Sequence, residues 1–254
     1  MSKKGLEKFF GLESKRVGLW TEFFKLEFMD RGFTDLLSDV AHHYAIEDLR
    51  MTPREAGHVF RSFRAPQLHR AKVIILGQDP YPNQKQAEGW AFSSADEVGP
   101  LPPSLDNICK EIKEEGLIQH KPVHGNLGKW VEQGVMLLNM CLTSEEGNAG
   151  IHRGQEGRTR LATSDKLTEA HGYGWEHFTL KALRYALAYN PNLIMVAWGK
   201  DAKGVCELLK PKHLLTSPHP SPLSAHKGYF GNGHFLKINE ILTELGKSVI
   251  DWRL

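Results

Sequence analysis

Asp79 lies in the run Gly77-Gln78-Asp79-Pro80-Tyr81-Pro82, where two prolines stiffen a loop that follows the apolar stretch Val73-Ile74-Ile75-Leu76. Far downstream, His219-Pro220-Ser221-Pro222-Leu223-Ser224-Ala225-His226-Lys227-Gly228 follows Leu214-Leu215 and presents an imidazole in a second proline-bracketed loop. A carboxylate and an imidazole on two rigid loops are an acid and a base partner. Tyr81 and Phe92 flank the carboxylate in sequence, a composition suited to a pocket for a flat heterocycle. Asn139 ends a further apolar run, Val135-Met136-Leu137-Leu138, and its amide offers a donor and an acceptor side by side. Singly, each has a plainer explanation: Asp-Pro is common in turns, and a loop histidine or a strand-end asparagine is often satisfied locally. For Asp79, its place after a strand with two rings following it in sequence outweighs that reading.

The elements that must position these groups are legible. Val73–Leu76, Val135–Asn139, Leu193–Trp198 and His213–Thr216 read as buried strands separated by helical segments. Strand and helix in alternation imply an α/β fold, a three-layer α/β/α arrangement around a four-stranded, mainly parallel sheet. Ligands of open α/β sheets bind beyond the carboxyl ends of the strands, so Asp79, Asn139, Gly199 and His219 should share one rim. Apolar residues from Trp20 to about Arg64 recur at three and four spacing, a helical prelude. Ser104 reads as the N-cap of a helix carrying Ile108 and Ile112. Ser144 to Tyr173 is a charged, glycine-bearing stretch without a clear strand, longer than ordinary connections.

The 254 residues fit one domain, 1–254, large enough for a proper core. A net charge of +2 does not announce a polyanion partner, so a nucleic-acid role must rest on local features. Cys109, Cys141 and Cys206 are odd in number and far apart, which reads as buried free thiols. The scattered histidines His213, His219, His226 and His234 lack the short paired spacing of a zinc site, so no metal or other cofactor is implied. Without a leader pattern or a stretch of roughly 20 apolar residues, the reading is an intracellular protein, off the membrane.

The Asp79 and His219 motifs, with Leu137-Leu138-Asn139 and Ala91-Phe92-Ser93 between them, resemble the family 1 uracil-DNA glycosylases. The resemblance runs from about Trp20 to Trp252 and takes in Pro102-Pro103-Ser104-Leu105 and Gly174-Trp175-Glu176-His177-Phe178-Thr179. It implies a monomeric, cytoplasmic enzyme of a prokaryotic host that flips uracil out of single- or double-stranded DNA and hydrolyses its N-glycosidic bond. By that resemblance Asp79 orients water and stabilises the sugar cation, and a neutral His219 hydrogen-bonds uracil O2. Gln78, Tyr81, Phe92 and Asn139 would then bind the base, Tyr81 standing where a 5-methyl would project. Pro103, Ser104, Gly199, Lys200, Ser221, Leu223, Ser224 and Lys227 would contact DNA, Leu223 as an apolar wedge in the base stack. A protein inhibitor or a replication partner is implied as a possible second ligand.

The chain departs from the family pattern at several points. Pro82 stands where histidine is usual, Asn83-Gln84-Lys85 replaces a short Gly-Pro segment, Glu88 replaces a common histidine, and Gly199-Lys200 replaces Gly-Ser. These changes put the build of the water-activating loop in question and add a cation at the DNA edge. They leave two alternatives open: a glycosylase with an altered base range, and a DNA-binding replication-accessory module on the same fold.

Overall fold

A computed structural model describes residues 1–95, 99–147 and 174–254. The chain begins with helices α1 (Lys3–Phe9), α2 (Ser14–Val17), α3 (Thr21–Glu27) and α4 (Arg31–Ala45), followed by the two-residue strand β1 (Met51–Thr52) and three short 3₁₀ turns. The sheet then alternates with helices: β2 (Val73–Gly77), α5 (Pro103–Glu114), α6 (Gly128–Glu132), β3 (Val135–Asn139), β4 (Ser144–Glu145), α7 (Trp175–Tyr189), β5 (Ile194–Trp198), α8 (Lys200–Leu209), β6 (His213–Ser217) and α9 (His234–Glu244).

The main sheet has the order β3-β2-β5-β6, and every pairing in it is parallel. Side chains alternate across it, which builds two cores from one sheet. Ile74, Leu76, Met136, Leu138, Met195 and Ala197 face a core completed by Phe24, Phe33, Leu37, Phe178, Leu183 and Val205 from α3, α4, α7 and α8. Val73, Ile75, Val135, Leu137, Ile194 and Val196 face the other, with Ile108, Ile112, Trp130, Phe235 and Ile238 from α5, α6 and α9. This is the three-layer α/β/α arrangement. From β2 the chain crosses to β3 on one side, and from β5 to β6 on the other. The loops after β2 and β5 therefore part at the switch point where such sheets bind ligands.

Three local readings are corrected. β6 is half-buried along its whole length, because it is an edge strand and lacks a neighbour on one side. Ser104 does not cap α5: the helix starts at Pro103 with Pro102 in the N-cap position and no side-chain cap. Proline lacks the N–H that a first helical residue cannot use and already has a helical φ, so it takes that place and moves Ser104 into the first turn. Ser144–Glu145 forms a strand, β4, antiparallel to β1. Two residues are too few to show an alternating pattern. The remainder of the Ser144 to Tyr173 segment, 148–173, lies outside the described residues.

Candidate active site

A cavity of about 230 Å³ opens at the carboxyl ends of the strands. Its lining includes Gln78, Asp79, Pro80, Tyr81 and Pro82 from the loop after β2, Asn139 from the end of β3, and His219 from the loop after β6. Phe92, Trp90, Gly89, Ala87 and Ser104 complete it. The two candidate catalytic groups and the four candidate base-binding residues thus meet at one place.

Phe92 forms the aromatic wall. Its backbone is left-handed, with φ of 62°, which costs a bulky residue about 1–3 kcal/mol and is held only by strong surroundings. Those surroundings are visible: the Tyr81 hydroxyl donates to the Phe92 carbonyl at 2.8 Å, and Trp198, the last residue of β5, packs edge-on at 5.5 Å between ring centroids. The Phe92 ring centroid lies 5.7 Å from that of His219. Burial pushes the Tyr81 phenol far above its ordinary range, so it is a neutral donor locked to the backbone.

The His219 loop is pinned from several sides. Its Nδ1 accepts the Ser221 backbone N–H at 3.0 Å, and the Ser224 hydroxyl donates to the His219 carbonyl at 2.9 Å. From α5, Asn107 donates to the Pro220 carbonyl at 2.8 Å. Gly199 has φ of 97°, and a Cβ there would stand 3.3 Å from the Cβ of His219, so a glycine lets the two loops approach. Burial lowers the His219 pKa, partly opposed by Asp201. A neutral ring with Nδ1 already accepting must carry its proton on Nε2.

Of the candidate DNA contacts, Pro103, Lys200, Leu223 and Lys227 are exposed, and Ser104, Gly199, Ser221 and Ser224 are half-buried. Leu223 is 84% exposed, the largest value among the described large apolar side chains after Val123. Its N–H reaches back to the Ser221 hydroxyl at 3.4 Å, in a turn closed by the Ser224 N–H to Ser221 carbonyl bond at 2.9 Å. Lys200 opens α8 directly after Gly199.

The model of the uracil DNA glycosylase superfamily matches residues 64–243. The chain belongs to that superfamily. A uracil-DNA glycosylase of Pseudoalteromonas translucida is 38% identical over 239 residues, covering 92% of this chain and 99% of the relative. One of Mycolicibacterium vanbaalenii is 42% identical over 197 residues, covering 78% and 79%. Among solved structures, the mimivirus uracil-DNA glycosylase superposes with a TM-score of 0.79 at 29% identity, covering 92% of this chain and 86% of that one. A variant of that viral protein, similar by the same TM-score, was solved in complex with UGI.

Within this glycosylase fold, three features escaped sequence reasoning. Asn107 holds the His219 loop from 113 residues away, a pairing with no local signature. Trp198 packs against Phe92 and donates its indole N–H to His234 Nδ1 at 3.0 Å. Glu88, read only as a missing histidine, is buried and bonded to Arg61 at 2.7 Å. A charged residue within a run leading to Phe92 was the available signal. The altered stretch after Pro82 is ordered by its own contacts, Asn83 accepting from the Lys85 N–H at 2.9 Å and Gln84 donating to the Met51 carbonyl at 2.8 Å. Cys109, Cys141 and Cys206 are buried thiols outside any disulfide, and burial pushes the Cys109 thiol up to about 12. Among the described residues no helix is long and apolar enough to cross a membrane, and no His, Cys, Asp and Glu cluster could hold a metal ion.

Proposed function

We propose that this chain, as a single unit, removes uracil from DNA by hydrolysing the N-glycosidic bond and leaving an abasic site for repair. The observation that carries the reading is the meeting of Asp79, Asn139, Phe92 and His219 around one cavity. A base inside a duplex is out of reach of such a site, so the nucleotide must be extruded into it.

Phe92 takes the flipped base on its ring face. The Asn139 amide donates to a carbonyl and accepts from a ring N–H, matching uracil and mismatching cytosine. Gln78 joins it in the cavity lining, and Tyr81, fixed by its bond to Phe92, walls the side where thymine carries a methyl. Bond breaking develops positive charge on the sugar and negative charge on the base. Asp79 stabilises the first and orients the attacking water. His219 donates Nε2–H to the base carbonyl as charge gathers there. Two unit charges about 4 Å apart interact by about 1 kcal/mol in water and about 4 at an effective dielectric of about 20, so closing the cavity strengthens both effects.

DNA is gripped at the cavity mouth by Pro103, Ser104, Gly199, Lys200, Ser221, Ser224 and Lys227, and Leu223 fills the gap left by the flipped nucleotide. The reading includes a cytoplasmic, monomeric enzyme, and the viral relative solved with UGI supports susceptibility to a protein inhibitor.

The test is incubation with a labelled single-uracil oligonucleotide in EDTA, followed by alkaline cleavage of abasic sites, with thymine and cytosine controls and Asp79→Asn alongside. The expected result is cleavage at uracil alone, lost in the variant while DNA binding survives. Cleavage at another base would establish an altered range, and binding without cleavage by the folded wild type would establish an accessory module.

A further inference from the structure

The Glu88 residue is 6% exposed and sits behind the cavity wall, where its carboxylate is bonded to partners on both sides. One oxygen accepts from the hydroxyl of Ser93, itself fully buried, and the other from Arg61 Nη1 at 2.7 Å. The same Arg61 nitrogen donates to the Glu88 carbonyl at 3.1 Å. Ser93 is bonded further, its hydroxyl accepting the Leu127 N–H at 2.9 Å. The Arg61 guanidinium lies 3.7 Å from the centre of the Trp90 ring, a stacked cation–π contact.

Two cavity-lining rings lie inside this frame. Trp90 and Phe92 both fall between Glu88 and Ser93, the residues that the carboxylate ties together, and Phe92 has the left-handed backbone. Closing the segment from 88 to 93 through a side chain opposes relaxation of that backbone. The Arg61 arm fixes the second ring through its face. We propose that Glu88 is a positioning residue for the base-stacking wall: with Arg61 and Ser93 it holds Phe92 and Trp90 in place to receive the flipped base. The inference rests on the glycosylase reading above and adds to it a residue that touches neither base nor DNA. It also gives the histidine-to-glutamate departure a function, because a carboxylate offers one acceptor oxygen to Arg61 and the other to Ser93 and balances the guanidinium charge.

A positional role and a general structural role predict different measurements. In Glu88→Ala, inhibition by free uracil, which uses the ring wall, is expected to weaken by about tenfold to a hundredfold, and kcat/KM on uracil DNA to fall by a similar factor. Affinity for an abasic oligonucleotide, which uses the DNA-gripping loops, is expected to stay within about twofold at a temperature where circular dichroism shows the variant folded. Glu88→Gln keeps an acceptor for Ser93 and is expected to recover part of the loss. In a Phe92→Ala background, Glu88→Ala is expected to cost clearly less than it does in the wild type, since of the two rings it positions only Trp90 remains.

Wild-type uracil inhibition in Glu88→Ala, or a full additional loss in the Phe92→Ala background, overturns the proposal while leaving the glycosylase reading intact. No excision by the wild type overturns both. Where Glu88→Ala fails to fold, Glu88→Gln with and without Phe92→Ala supplies the same cycle, and an additive loss there overturns the proposal equally.

Discussion

Gly77 and Asn139 are register partners at the carboxyl ends of β2 and β3, and the Asn139 amide occupies the space where a Cβ on Gly77 would stand. The Ala91 methyl, 2.9 Å from that same point, closes the other side. A methyl at Gly77 must therefore push the Asn139 amide, proposed to read the base, or the segment carrying Phe92. Gly77→Ala is expected to lower kcat/KM on uracil DNA by about a hundredfold, with an overpacking cost of about 1–3 kcal/mol in urea unfolding. Kinetics within twofold of wild type would show that Asn139 does not act from this position.

In the proposed reaction the His219 ring acts in its neutral form, and burial places its titration below the ordinary histidine value of 6.5. Acid then protonates Nδ1 and breaks the bond to Ser221. The pH profile of kcat/KM is expected to be level through neutrality and to fall only below 6.5. His219→Asn is expected to lose that limb and about 10²–10³ in rate. An acid limb in the wild type above 6.5 would contradict the assignment.

His234 gives a stability prediction of the same sign. Burial lowers its pKa from 6.5 to about 4, and its Nδ1 accepts from Trp198. The folded state thus binds its proton less readily than the unfolded chain. The stabilisation is full above pH 6.5 and is lost as pH falls toward 4, at about 1.4 kcal/mol per pH unit and roughly 3 kcal/mol in all. Urea midpoints across this window are expected to fall with acid, and less so in His234→Asn, whose amide can still accept the indole proton. Equal acid sensitivity in the two proteins would place the loss elsewhere.

Leu223 projects into solvent on a turn that its own side chain does nothing to hold. Leu223→Ala is expected to leave the melting temperature unchanged. Excision from duplex DNA is expected to drop more than from single strands, where no stack needs filling. Equal losses on both substrates would remove the wedge.

Lys200 stands at the rim just beyond Gly199, exposed. If it meets a phosphate, Lys200→Ala is expected to weaken DNA binding across sequences and to reduce the slope of log affinity against log salt by about one. An unchanged slope would assign the charge to solvent.

The four strands and their shared rim were legible because three are continuous apolar runs buried by the sheet and the fourth carries Leu214-Leu215, and Asp79, Asn139 and His219 each follow such residues. The half-burial of Leu214 and Leu215 was not, since an edge strand in an α/β sheet differs from a central one by its neighbours and hardly by composition. The left-handed backbone of Phe92 was hidden for a related reason: an ordinary aromatic is held there by the Tyr81 hydroxyl and by Trp198, which the sequence places 11 and 106 residues away. Ser104 misled because a good capping side chain was outcompeted by the prolines beside it. Arg61 carries no sign in its own surroundings that it will cross to Glu88 and Trp90.

The Ser221 amide on His219 Nδ1 has a chemical consequence. A histidine that relays protons takes one on at one nitrogen while releasing another from its second, and here the first nitrogen is already engaged. Releasing the Nε2 proton outright would leave an imidazolate, far too basic to form. In the proposed reaction the ring can therefore polarise the departing base but cannot protonate it. Uracil leaves as an anion, and solvent neutralises it only after the bond has broken.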